Sequence, residues 1–97
     1  MNIGSLYKVK KYFWLLFPTK EIAAAAANPF AVFELAFAAN WSRAYNCEVT
    51  YFSPESFIVF LENDGKLKKV LTSGGKIGWI WFADHYNDCF EEVKAEP

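Results

Sequence analysis

Asp84, His85, Asp88 and Cys89 form the one place in this sequence where carboxylate, imidazole and thiol stand together, and His85 is the only histidine. Imidazole beside a carboxylate or a thiolate is a donor set that zinc takes. The same imidazole against Cys89 or Cys47 would be a base facing a nucleophile, a pairing that needs proximity in space rather than in sequence. Neither chemistry has its usual spacing here: there is no CxxC pair, and nothing marks an oxyanion hole or a third, orienting residue. Aspartates around a turn have a plainer use, accepting hydrogen bonds from the turn's own backbone. The sequence is therefore read as holding no catalytic residue, no metal and no cofactor, and as not an enzyme.

Two further sets of side chains invite a binding role. Lys8, Lys10 and Lys11 lie among Tyr7, Tyr12 and Trp14, while Lys66, Lys68, Lys69 and Lys76 form a second basic group. Ammonium groups interleaved with rings are what a single-stranded nucleic acid needs, for its phosphates and its bases respectively. Lysines at alternate strand positions are also the ordinary solvated face of a sheet, and they protect strand edges. With a net charge of −1 there is no global field to capture phosphates. A nucleic-acid surface of Lys8, Lys10, Lys66, Lys68 and Tyr12 is accordingly the second reading. Trp79, Trp81, Tyr86 and Tyr51 are candidates for a ring-lined peptide groove. At 20% aromatic content, rings of the core and its edge are the commoner use.

These side chains need a scaffold, and 97 residues provide for one domain, 1–97. A composition that is 54% hydrophobic and 22% charged is that of a folding chain, not a disordered one. Two cysteines without paired spacing fit a reducing, cytoplasmic compartment and ordinary buried thiols. Lys8, Lys10 and Lys11 before the apolar residues 12–17 resemble a signal peptide only in outline, because Pro18, Lys20 and Glu21 cut the run short. Residues 22–41 have the length of a membrane span, yet Asn28, Pro29, Glu34 and Asn40 interrupt them. No membrane association is expected.

Residues 6–17 read as one strand, alternating at first and rich in aromatic side chains. Pro18 and Thr19 end it. Thr19 can cap a helix with Glu21 in its first turn and alanines as its body, and Asn28 with Pro29 marks a second start or a kink. From residue 30 to 45 the spacing is helical, with Phe30, Phe33, Phe37 and Trp41 on one stripe that must be buried. Val32, Leu35, Ala36 and Ala39 spread over the other side, so that no polar face is left. A lone protomer would expose that apolar side, and a twofold homodimer is the simplest way to cover it. Beyond Asn46 the period changes to two. Strands are expected over residues 48–52, 57–61, 67–72, 77–82 and 89–93, with turns at 53–56, 63–65 and 73–75 and a single short turn or 3₁₀ turn over 83–88. On the 77–82 strand both faces are apolar, one for the core and one to pack under the insertion.

Residues 67–93 carry a family likeness. Lys69-Val70, Gly74-Gly75, Gly78-Trp79-Ile80, residues 83–86 and residues 90–93 follow the order strand, distal turn, Gly-Trp strand, 3₁₀ turn and closing strand. In this the chain resembles the C-terminal half of bacterial SH3-type domains. The resemblance implies a mainly β fold, a small SH3-like barrel of five to six antiparallel strands with a helical insertion at about 19–46. The acidic Ala-Leu-Tyr-Asp-Tyr segment of peptide-binding SH3 domains is missing, and the insertion stands in place of their long first loop, so proline-rich ligands are not implied. The chain also resembles small proteins of marine bacteria and their viruses, a likeness that brings no function with it. The leading expectation is a non-enzymatic protein-binding module that self-associates, its surface formed by Val32, Leu35, Ala36, Ala39, Trp79, Trp81 and Tyr86.

Overall fold

The computed structural model describes residues 2–26, 43, 44 and 46–93, with the backbone alone for Asp84 and His85. The elements are β1 (Leu6–Val9), β2 (Trp14–Leu16), α1 (Lys20–Ala26), β3 (Thr50–Phe52), β4 (Phe57–Asp64), β5 (Leu67–Thr72), β6 (Ile77–Trp81), a 3₁₀ helix (Asp84–Cys89) and β7 (Phe90–Glu92). The fold is mainly β. One sheet has five strands in the order β6-β5-β4-β1-β7, all pairs antiparallel, and β2 and β3 make a second, two-stranded sheet.

The turns form where their residues allow a reversal. Gly65 at φ +60 and Gly75 at φ +83 take the left-handed conformations that join β4 to β5 and β5 to β6. Thr19 caps α1 as its residue type implies, its Oγ1 accepting from the Ile22 N–H at 3.3 Å.

The strand expected over residues 6–17 is two strands in two sheets. Tyr12 sits at φ +70, which breaks the ladder after β1 and turns β2 away into the second sheet. Expectation and structure also differ on closure. The sheets do not close into a barrel by hydrogen bonding, since β6 and β7 are the edges of the five-stranded sheet. What links the sheets is one bridge, Phe17 to Trp79, with N–H donated each way at 2.9 and 2.7 Å. Gly78 makes that crossing possible: a Cβ there would stand 2.7 Å from Leu16 Cγ and 2.7 Å from the Phe17 carbonyl oxygen.

Because β2 lies between two packed layers, all three of its residues and Phe17 are buried. Trp14 and Leu16 point inward with Tyr7, Val9, Phe52, Ile58, Phe60, Val70, Ile80, Phe82, Cys89 and Phe90. Trp14 is the hub, with ring centroids 4.9 Å from Phe90 and 6.0 Å from Phe82. Leu15 and Phe17 point the other way and join Ala23 of α1 and Val49, with Leu67 and Trp79 packed against them. The outer side of the β6 strand thus does pack under the start of the insertion. Of the helix expected over 19–46, α1 and the helical residues 43 and 44 are described, and Asn46 at φ +50 follows them. Val32, Leu35, Ala36 and Ala39 lie outside the described residues.

Candidate interaction surface

The 3₁₀ helix places Asp88 and Cys89 in different surroundings. Asp88 is exposed, whereas the Cys89 side chain is buried in the inner cluster. Burial pushes the Cys89 thiol above its ordinary range against the opposing pull of Lys11, and Asp88 adds to the rise. A thiol held in its neutral form is a poor nucleophile and a poor metal ligand. Cys47 packs against the outer cluster, and both cysteines are free. Among the described residues no group of three or more His, Cys, Asp and Glu side chains gathers as a metal site would require. None of their helices is long and apolar enough to cross a membrane.

The lysines are distributed as a neutralised surface. Lys8 pairs with Glu55 at 2.8 Å, Lys10 with Glu91 at 3.5 Å, Lys69 with Glu62 at 3.3 Å and Lys76 with Glu48 at 3.1 Å. Lys66 lies over the Trp81 ring at 5.5 Å. Lys68 is not a surface lysine. Its position on β5 is in phase with Val70 and opposite Ile80, so its side chain enters the inner layer and is buried. There its ammonium donates to Asn63 Oδ1 and to the Gly65 carbonyl, both at 2.5 Å, and lies 5.6 Å from the Phe82 ring centre. Tyr12 is exposed, turned out by its left-handed backbone. Lys8, Lys10, Lys66, Lys68 and Tyr12 therefore do not form one cationic track.

Nor do Trp79, Trp81 and Tyr86 make one groove. Tyr86 packs edge-on against Trp14 at 5.6 Å, on the inner cluster. Trp79 belongs to the outer cluster under α1 with Lys20 over its ring at 5.8 Å, and Tyr51 meets Phe13 in that cluster at 5.7 Å. Trp81 is half-buried beneath Lys66.

Strand register brings a different set together. Leu6 stands opposite Val59, Val59 opposite Leu71, and Leu71 opposite Ile77. The Val93 N–H donates to the Leu6 carbonyl at 2.8 Å, which places Val93 at the other end of the row. Opposed residues share a face, so Val93, Leu6, Val59, Leu71 and Ile77 form one apolar row across all five strands, on the outer side of the sheet. Phe57 lies beside it, two residues from Val59 on the same side of β4. Ile77 is 56% exposed, Val93 40%, and Leu6 and Phe57 39% each. Leu6, Phe57, Val59 and Leu71 line a shallow depression of ≈ 230 Å³. An antiparallel sheet with one wet face carries polar residues there, and this row carries none. Sequence reasoning missed the row because each member is an ordinary alternate residue of its own strand.

No protein-family model, curated protein or solved structure matches this chain.

Proposed function

We propose that the chain is a non-enzymatic protein-binding module built on an SH3-like barrel, which self-associates through its helical insertion. The architectural half of this reading is supported by chain path. First and last strands lie side by side, three successive hairpin-connected strands follow, and a 3₁₀ helix precedes the last strand, the order that the resemblance to SH3-type domains implies. The bridge from Phe17 to Trp79, which ties the β2 and β3 sheet to the edge of the five-stranded one, supports that half further.

The binding half rests on one observation, the apolar row left uncovered on the five-stranded sheet. Contiguous exposed apolar surface marks interaction sites. The insertion, whose side chains Val32, Leu35, Ala36 and Ala39 are the partner-facing set, begins with α1 on that same outer side. Light scattering on a sizing column at micromolar concentration tests this, with a dimer expected for the wild type and a folded monomer for Val32→Lys combined with Leu35→Lys. A wild-type mass of 11.1 kDa would end the reading.

Nucleic-acid binding through the strand lysines is the alternative, and the pairing of Lys8 and Lys10 with carboxylates and the burial of Lys68 count against it. Binding of a labelled oligothymidine that weakens steeply with salt would revive it.

A further inference from the structure

We propose that the row Val93, Leu6, Val59, Leu71 and Ile77 is the seat for the helical insertion of a second copy of this chain, an inference that rests on the self-association reading. Five strands at their usual spacing make the row about 19 Å long, and about 13 residues of helix span that distance. The helical stretch read in residues 30–45 is long enough to lie along it. In the sequence Val32, Leu35, Ala36 and Ala39 follow the three-and-four spacing of a single helix face, which as a helix would extend about 10 Å, two strand spacings, and suit the central Leu6, Val59 and Leu71. None of the four carries a charge, and the seat asks for none. The charges next to it along the strands, Lys8, Lys69, Lys76 and Glu91, are each in an ion pair, with Glu55, Glu62, Glu48 and Lys10 respectively.

Size favours an exchange of insertions over a flat sheet-to-sheet contact. A helix about 10 Å wide on this row has a footprint of roughly 200 Å², against about 800 Å² on each partner of a standard interface. One row on another would be too small to hold a dimer. A twofold axis that lets each protomer give its insertion and receive its partner's uses the contact twice and adds the flanking surfaces. The attachment of the insertion agrees: it begins with α1 over Trp79, and the chain returns at Glu48, whose carboxylate meets Lys76 next to Ile77. Both ends are held beside β6, at the Ile77 end of the row, and among the row's members Leu6, Ile77 and Val93 are exposed.

Two full-length variants test the seat, Leu71→Cys and Leu35→Cys, each with Cys47→Ser to remove the half-buried thiol. Mixed and treated with oxidised glutathione, they should give a cross-linked pair containing one chain of each kind, in excess over either like pair. Leu71→Lys, checked for native ellipticity, should be monomeric by light scattering. Three outcomes overturn the inference. A Leu71→Lys protein that still dimerises, without the mixed cross-link, places the interface elsewhere and leaves self-association standing. Intrachain bonding at high dilution in a chain with both cysteines makes the occupant the protomer's own insertion. A monomeric wild type removes the underlying reading and the seat with it.

Discussion

The outer side of the five-stranded sheet has two halves of similar apolar character and opposite fates. Over Leu67 and Trp79 it is covered: Leu15, Phe17 and Ala23 are fully buried there, and Lys20 closes the rim with its ammonium over the Trp79 ring. Two residues away along β6, Ile77 is more than half exposed, and the row behind it runs through half-buried Leu71 and Val59 to exposed Leu6 and Val93. What separates the halves is not side-chain type but the path of β2. It crosses β6 at Phe17, where Gly78 lets it approach, and then Pro18 ends it before it reaches Ile77. Cover supplied within the chain stops where that crossing stops.

Removing the cover should have the largest effect. Gly78→Ala places a Cβ 2.7 Å from the Leu16 side chain and the Phe17 carbonyl oxygen, and overpacking of this kind costs about 1–3 kcal/mol or more. Urea unfolding should show the loss, and a variant as stable as the wild type would mean that β2 does not cross β6 as described. Trp79→Ala thins the covered half without a clash. A half-buried ring should cost about 2 kcal/mol, less than the roughly 3–5 kcal/mol of a fully buried aromatic. In the open half, where Leu71 is half-buried, Leu71→Lys should cost the protomer less than about 1 kcal/mol, below either change in the covered half. If it unfolds the protein, the row is core and the comparison fails.

The smallest effect concerns the thiols. Cys89 is held neutral by burial, so its folded value lies above its unfolded one. The stability that this contributes is complete below the ordinary thiol range near 9.0 and is lost as pH rises through the folded value. The urea midpoint should fall across that interval, and Cys89→Ala should lose this part of the fall. In native protein a thiol reagent should modify Cys47 well before Cys89, and equal rates would place Cys89 at the surface.

How legible these features were depended on whether their causes are local. The hairpins at Gly65 and Gly75, the 3₁₀ helix and the Thr19 cap follow from a few neighbouring residues, and they lie within a residue or two of their expected places. The division of residues 6–17 did not show, because nothing in the composition announces a tyrosine at φ +70. Lys68 was assigned to the wrong side of β5. A lysine ordinarily marks the wet face, but here the phase set by Val70 and Ile80 prevails, and Asn63 and Gly65 supply acceptors inside. The apolar row was the least visible, since its members come from β1, β4, β5, β6 and the residue after β7, and only register aligns them.

Covering the open half with a second copy makes stability depend on protomer concentration, because association stabilises the folded state by mass action. Thermal unfolding followed by circular dichroism over a hundredfold range of concentration, for wild type and Leu71→Lys in parallel, measures this directly. The wild-type midpoint should climb by roughly several degrees while the variant midpoint stays constant. A wild-type midpoint independent of concentration would contradict cover by a second copy.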